Sequence, residues 1–158
     1  MLEKSLLDVH TKLKIHFYQE MFKRLNSRET SLSTVETFCV EVIHALGEPT
    51  VAQFSKFINV SSPNATYKVN SLIKKGYIER IRSTVDKREY HLRVTDKYWN
   101  YYALSSNYVD EVVRRARERF EPKTVEELDT FLTIMSEELM NDVPISLEVP
   151  KKKSEETS

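Results

Sequence analysis

The sequence predicts a mainly α-helical fold that carries one small β-hairpin. Apolar residues recur at helical spacing along most of the chain, helix-capping residues precede several of these stretches, and the spacing changes to alternation near residues 77–94. From residue 50 onward the predicted order is a short helix, a four-residue turn, a Pro-capped helix and two strands joined by a charged loop. That order is typical of a winged helix-turn-helix.

The composition is that of a single domain. The 158 residues are 40% apolar, and no apolar run approaches the ~20 residues that a membrane-spanning helix needs. The N-terminus lacks the apolar core of a secretion signal, so we expect a cytoplasmic protein. One cysteine, Cys39, excludes an intrachain disulfide, and only two glycines argue against a Gly-rich phosphate or dinucleotide loop.

The first two helices are predicted from apolar spacing and caps. A helix over residues 2–26 carries two apolar stripes, which is more than one small core requires of a terminal helix. Ser33 and Glu36 form a capping box for the second helix, and Gly47 ends it. We expect four apolar residues of that helix to face inward: Phe38, Val42, Ile43 and Leu46.

The helix-turn-helix is predicted from Thr50 to Gly76. Thr50 caps a short helix, and residues 58–61 form the turn. Ser62 is placed to cap the following helix, with Pro63 at its first position, where a missing N–H does no harm. The inward stripe of this helix is Ala65, Val69, Leu72 and Ile73.

Two strands, over residues 77–83 and about 90–94, follow and enclose a charged loop. A long helix to about Phe120 comes next, and a capping box at Thr124 starts the last helix. The apolar stripes of the terminal helices exceed what one small lobe can cover, which favours a dimer. The predicted organisation is one domain over residues 1–142, with a winged helix-turn-helix at about 33–95, dimerisation helices at about 2–26 and 97–142, and a disordered tail at 143–158.

Positive charge is concentrated in one segment, although the formal net charge of the chain is zero. Residues 50–97 carry ten Lys/Arg against four Asp/Glu, residues 98–158 carry eight against thirteen, and residues 1–49 carry six against seven. Such a concentration is typical of a local phosphate-binding surface. Helical surfaces that are simply rich in lysine would give a similar count.

The Pro-capped helix has the residue types that reading DNA requires. Asn64 can pair with an adenine edge, Tyr67 can stack or hydrogen-bond, and Lys68 can meet a phosphate or a guanine. Ser61, Ser62 and the free N–H groups of the helix start suit a phosphate. An ordinary amphipathic helix with a polar outer face is the alternative interpretation.

The hairpin favours the DNA interpretation. Arg80 and Arg82 lie on one arm and Lys87 and Arg88 at the tip, more positive charge than a structural hairpin needs. Arg88 is positioned to enter an adjacent minor groove, where a guanidinium senses groove width and potential. We expect Asp86 to brace Arg88 or the turn and not to touch DNA.

Four segments resemble the MarR family of bacterial transcription regulators: Val60 to Tyr67 (VSSPNATY), Gly76 to Arg80 (GYIER), Asp86-Lys87-Arg88, and Leu92 to Thr95 (LRVT). The resemblance spans roughly residues 2–142. It implies a homodimer whose first, fifth and sixth helices intertwine and which binds pseudo-palindromic operator DNA. It often also implies release by a small ligand, a metal or an oxidant.

The resemblance also assigns contacts to individual residues. Base contacts fall on Ser62, Pro63, Asn64 and Tyr67, phosphate contacts on Ser61, Thr66 and Lys68, and the wing contact on Arg88. The charge of the hairpin adds Arg82 and Lys87 to these candidates. Tyr67 stands where many relatives carry arginine, so the preferred bases are open, and Asp96-Lys97-Tyr98 lacks a glycine often found there.

Several residues have both a sensor and a structural interpretation. Cys39 lies among apolar neighbours and is better explained as a small buried residue than as a redox sensor. Glu41 and His44 share a helix face, but no pair of Cys or His residues has zinc-ligand spacing, so we expect neither a metal nor a cofactor. The aromatic residues either line an effector pocket or pack between helices: Tyr98, Trp99, Tyr101, Tyr102 and Tyr108. Four arginines either touch flanking DNA or face water: Arg114, Arg115, Arg117 and Arg119.

Together these patterns predict a DNA-binding repressor without enzymatic activity, because no catalytic arrangement of residues is found. The alternative is a winged helix that docks an acidic protein partner. Such a module is expected to expose apolar residues at the start of the recognition helix, where this chain has Asn64, Tyr67 and Lys68.

Overall fold

The computed structural model describes residues 1–27 and 31–145, apart from the side chains of residues 25, 27 and 101–106. Helices dominate this part, and one antiparallel hairpin precedes the fifth helix, which confirms the predicted fold class. The helices are α1 (Leu2–Ser27), α2 (Thr34–Ala45), α3 (Val51–Phe57), α4 (Ser62–Lys74), α5 (Asp96–Arg119) and α6 (Pro122–Ile134), which continues into a π-helical turn (Met135–Leu139). The strands are β1 (Ile78–Arg82) and β2 (Tyr90–Val94).

A capping box fixes the start of α2, as predicted, and the predicted cap at Thr50 is a second capping box. The Glu36 N–H donates to the Ser33 hydroxyl at 3.3 Å, and the Ser33 N–H donates to the Glu36 carboxylate at 2.8 Å. Thr50 and Gln53 repeat this reciprocal pair at α3. These bonds satisfy N–H groups that the first turn of a helix leaves without intrahelical partners.

Two predicted helix starts are wrong. Ser61, not Ser62, caps α4, since its hydroxyl accepts the Asn64 N–H at 3.4 Å. The helix α6 begins at Pro122, ahead of the expected cap at Thr124. In both cases a proline occupies the first turn, where its missing N–H removes no intrahelical bond, so the helix extends further toward its N-terminus.

The core lies between α2, α4, the hairpin and the start of α5. Its buried members are Leu32, Cys39, Val40, Ile43, Phe54, Ala65, Val69, Leu72, Tyr77, Ile78, Leu92 and Tyr98. The predicted inward stripe of α4 is confirmed, with Ile73 partly buried. On α2 the prediction for Phe38 is wrong: it is 44% exposed, while Cys39 and Val40 are buried.

The hairpin is attached to the helical lobe along one edge and one face. The Leu92 N–H donates to the Pro49 carbonyl at 2.8 Å, which adds the chain between α2 and α3 to the strand pair. In the strand register Ile78 lies opposite Val94 and Arg80 opposite Leu92. Because paired residues share a face, buried Ile78 and Leu92 identify the side that packs on the helices.

The terminal helices leave large apolar side chains uncovered in the single chain. Leu2 is 79% exposed, Phe22 65%, Phe131 68% and Leu139 70%.

None of the helices in the described part is long and apolar enough to cross a membrane. Most of the predicted tail, residues 146–158, lies outside the described residues, so the tail stays a prediction.

A carboxyl group of α2 is bonded to α5 and feels the charge of Arg24 on α1. The Tyr98 hydroxyl donates to Glu41 Oε2 at 3.2 Å, and Oε1 is buried without a hydrogen-bond partner among the described residues. Burial raises the pKa of Glu41 to about 7, and the bond from Tyr98 and the charge of Arg24 oppose this rise only in part. In the folded chain the carboxyl therefore keeps its proton below about pH 7.

The raised pKa makes stability depend on pH in a defined direction. Between the ordinary value of 4.5 and about 7 the folded state holds the Glu41 proton and the unfolded state does not. Stability should therefore fall as pH rises through this window. Glu41→Gln should remove the slope and stabilise the protein above pH 7 by roughly 2–3 kcal/mol. Urea unfolding from pH 5 to 8 measures both effects, and an unchanged slope would contradict the assignment.

Candidate nucleic-acid interface

The turn before α4 is held by its own backbone and one serine. The Ser55 hydroxyl donates to the Val60 carbonyl at 2.8 Å. Asn59 adopts a left-handed conformation with φ of 53°, which an asparagine tolerates better than most residues. The turn therefore sets the direction in which Ser61 starts the recognition helix.

The front of α4 presents most of the residues predicted to contact DNA. Five of them are exposed: Ser61, Ser62, Pro63, Asn64 and Tyr67. Tyr67 stands out, with 76% of its surface exposed. Thr66 and Lys68 are partly buried at the sides of the helix, which fits the backbone-contacting role expected of them better than a base-reading one.

The back of α4 is fastened to α2 through polar bonds that the sequence did not reveal. Ser71 donates to Glu36 Oε1 at 2.6 Å, and Lys75 donates to Glu36 Oε2 at 2.7 Å. Lys75 also donates to the Ser31 carbonyl at 2.8 Å. Partial burial of Glu36 opposes its ionisation, but bonds from Lys75, Ser33 and Ser71 outweigh burial and lower its pKa to about 2.

The loop between the strands is a tight turn built around Asp86. Its carboxylate accepts the Arg88 N–H at 2.9 Å, and its carbonyl accepts the Glu89 N–H at 3.0 Å. Asp86 thus braces the turn, as expected. Arg82 donates from Nε to the Lys87 carbonyl at 2.6 Å, so this predicted DNA-binding residue also supports the loop.

The two cations at the tip point away from the fold. Lys87 and Arg88 are exposed, and neither side chain forms an ion pair within the described residues. Arg93, in contrast, pairs with Glu48 at the other end of the hairpin. The free positive charge of the hairpin is therefore concentrated at the tip and along β1.

A side-chain hydrogen bond joins the hairpin to α4. Arg80 Nη2 donates to Asn70 Oδ1 at 2.9 Å. Neither residue was among the predicted contacts. The bond depends on how β1 lies beside α4.

The sensor candidates have mainly structural roles. Cys39 is 5% exposed and burial raises the pKa of its thiol, which disfavours the reactive thiolate. His44 packs against the rings of Tyr98 and Trp99. Within the described residues, no three His, Cys, Asp or Glu side chains come together as a metal site.

The remaining aromatic and basic candidates on α5 also make local contacts. Tyr108 stacks on His16 of α1, with ring centroids 3.9 Å apart, whereas the side chains of Tyr101 and Tyr102 lie outside the described residues. Arg114 and Arg115 pair with Glu111 of the same helix. Packing therefore accounts for Tyr98 and Tyr108, and ion pairing within α5 for these two arginines.

The sequence profile of the MarR family matches residues 32–90, which run from the chain before α2 to the first residue of β2. The winged helix of this chain is therefore similar to that of the MarR family. AdcR of Streptococcus pyogenes, described as a transcriptional regulator, is 28% identical over 93 residues, which are 57% of this chain and 63% of AdcR. The match thus spans less than two thirds of that MarR-type relative.

Solved structures share this fold over most of the chain. FabT of Streptococcus pneumoniae, determined in complex with DNA, is 24% identical with a TM-score of 0.57, covering 90% of this chain and 100% of FabT. The transcriptional regulator Tm0710 of Thermotoga maritima is 17% identical with a TM-score of 0.61, covering 88% of this chain and 96% of that one. At these identities the likeness establishes the fold, and the MarR match agrees with the prediction of a non-enzymatic protein.

The link between α2 and α4 should make the winged helix sensitive to acid. Glu36→Gln keeps the capping box but loses the charge that holds Lys75, so it should destabilise the protein by about 1–2 kcal/mol at pH 7. Because the pKa of Glu36 is lowered from 4.5 to about 2, its contribution is present above pH 4.5 and is lost below it. Urea unfolding at pH 7 and pH 3.5 should show the variant's deficit shrinking. Glu126→Gln on the exposed side of α6 is the control, and an equal deficit at both pH values would contradict this role.

Proposed function

We propose that the protein is a sequence-specific double-stranded DNA-binding transcription regulator that acts as a homodimeric repressor on a pseudo-palindromic operator. The observation that carries this proposal is the pairing of a polar, exposed helix front with a cationic hairpin tip. The first supplies groups that read base edges, and the second supplies charge that binds phosphates.

The helix α4 meets the requirements of a recognition helix. Ala65, Val69 and Leu72 are fully buried and dock it on the lobe, so its opposite face is free to enter a major groove. At the leading end of that face, Asn64 offers a donor and an acceptor that match an adenine edge. Tyr67 adds an aromatic surface with a hydroxyl, which suits a thymine methyl group or a phosphate oxygen.

The hairpin tip meets the requirements of a minor-groove contact. Arg88 is exposed beside a turn that Asp86 keeps closed, so the guanidinium extends from a rigid support. A narrow minor groove concentrates negative potential and attracts such a cation. The winged helix would then occupy two adjacent grooves of the same duplex.

Two relatives support this assignment. FabT was solved in complex with DNA, and AdcR is described as a transcriptional regulator. Both agree with the function that the exposed side chains of α4 and the hairpin favour.

The uncovered terminal helices support the homodimer. Apolar side chains along α1 and α6 are exposed in the single chain, and a second copy would bury them. A two-fold dimer repeats the recognition helix at a fixed distance, so its target is two inverted half-sites about one DNA turn apart.

A groove between α1 and α2 supports release by a small apolar effector. Its lining residues are Tyr18, Met21, Phe22, Thr34 and Phe38. Its volume is about 210 Å³, below the ~300–1,000 Å³ of pockets for drug-sized ligands, so the effector would be small. Because one wall belongs to a terminal helix and the other to the winged helix, a bound molecule would bias their relative angle.

Selection of bound sequences from a random duplex pool, at two salt concentrations, tests the proposal. An enriched inverted repeat with half-sites about one helical turn apart is the expected outcome and would establish dimeric, sequence-specific binding. Salt-sensitive binding without an enriched motif would overturn specific recognition and favour a module that docks an acidic protein partner.

Two substitutions should separate base reading from charge contact. Asn64→Ala should cost ~1–3 kcal/mol on the selected site and little on random DNA. Arg88→Ala should weaken binding to every duplex and lower the salt-dependence slope by about one unit for each copy bound. Affinity measured by titration on both duplexes compares them, with Asn107→Ala on the exposed side of α5 as a control. Equal losses on both duplexes from Asn64→Ala would exclude base reading by that residue.

A further inference from the structure

Three arginines extend from the strands of the hairpin, and each has a different kind of partner. Arg93 pairs with the Glu48 carboxylate, which neutralises its charge. Arg82 donates to a backbone carbonyl inside the hairpin loop. Arg80 donates to Asn70, a neutral side chain on the recognition helix. Arg80 is thus held in place by a group that leaves its charge intact.

The strand register explains where Arg80 lies. Arg80 is opposite buried Leu92 and two residues after buried Ile78, so it leaves the sheet on the face that packs against the helices. Arg80 lies on that face but beyond the part that the core covers, so its side chain is exposed. It therefore stands in the corner between α4 and the hairpin.

Asn70 fixes the guanidinium from the helix side. Asn70 is exposed on α4, one residue beyond buried Val69, and accepts from Arg80 Nη2 at 2.9 Å. Among the described residues this is the hydrogen bond that the Arg80 side chain makes, and no carboxylate there pairs with it. A guanidinium carries five N–H donors, so most of them stay available to an acceptor from outside.

A duplex that meets both α4 and the hairpin must pass one of its backbones through this corner. With α4 in a major groove and the tip in the neighbouring minor groove, the sugar–phosphate strand that separates the two grooves lies between them. We propose that Arg80, oriented by Asn70, clamps a phosphate of that strand. The inference rests on the proposed DNA-binding function and adds a residue and a contact to it.

The chemistry of the pair suits this task. A planar guanidinium can meet two phosphate oxygens at once, and the bond to Asn70 holds its orientation before DNA arrives, which lowers the entropy lost on binding. An aspartate at position 70 would hold Arg80 equally well but would cancel the charge that attracts the phosphate.

The test compares variants that remove the charge with variants that remove only its support. Binding of the full chain to the selected duplex is titrated across salt concentrations for Arg80→Ala, Arg80→Lys and Asn70→Ala. Arg80→Ala should lower the slope of log affinity against log salt by about one unit per bound copy, and affinity roughly eightfold per copy at 0.1 M salt. Arg80→Lys and Asn70→Ala keep the cation, so they should weaken binding with the slope unchanged.

Lys123→Ala is the matched control, because it removes one exposed cation at the start of α6, outside the winged helix. It should leave slope and affinity unchanged, and thermal unfolding checks that every variant is folded. If Arg80→Ala and Asn70→Ala weaken binding equally without a change of slope, the pair only fastens the hairpin to the helix and the inference is wrong. A wild-type chain that binds no duplex would overturn the proposed function and this inference together, whereas a binding wild type with an unaffected Arg80→Ala slope overturns the inference alone.

Discussion

The arrangement of the winged helix depends on one carboxylate. Glu36 closes the capping box of α2, and its two oxygens also receive Ser71 and Lys75 from α4. Lys75 also donates to the Ser31 carbonyl. Glu36 and Lys75 together therefore link the chain before α2, the start of α2 and the end of α4. A helix that reads a ligand through its side chains needs a fixed axis, because small displacements misalign several hydrogen bonds together.

The C-terminal end of α4 is fixed from the other side by the start of α5. Thr95 donates from its hydroxyl to the Gly76 carbonyl at 2.6 Å, and Lys97 donates to the Lys75 carbonyl at 2.8 Å. Gly76 itself has φ of +80°, a conformation that side-chain-bearing residues rarely adopt, so the chain can leave α4 at Lys74 and enter β1 at Ile78 with three residues between them. The helix that carries the candidate contacts is thus anchored at its back by α2 and at its end by α5.

Local features were predictable from the sequence because they depend on neighbours along the chain. The capping box at Ser33, the cap at Thr50 and the buried stripe of α4 belong to this class. The rotation of α2 that buries Cys39 and exposes Phe38 depends instead on α4 and β2, which pack against α2. The bonds from Ser71 and Lys75 to Glu36 join residues 35 and 39 positions apart, and the Arg80–Asn70 bond joins two elements. No periodicity encodes such pairs, since they arise when finished elements dock.

The unequal distribution of charge along the chain has a consequence for how the molecule approaches a polyanion. Residues 50–97 hold an excess of six positive charges, and residues 98–158 an excess of five negative ones. The protein therefore has a formal net charge of zero but an uneven distribution of charge, as an electric dipole has. In the field of a polyanion it is rotated more strongly than it is pulled, so the winged helix turns toward the negative charge while the acidic residues of α6 turn away from it. The zero net charge thus limits nonspecific binding to polyanions. The uneven distribution of charge still orients the winged helix toward them.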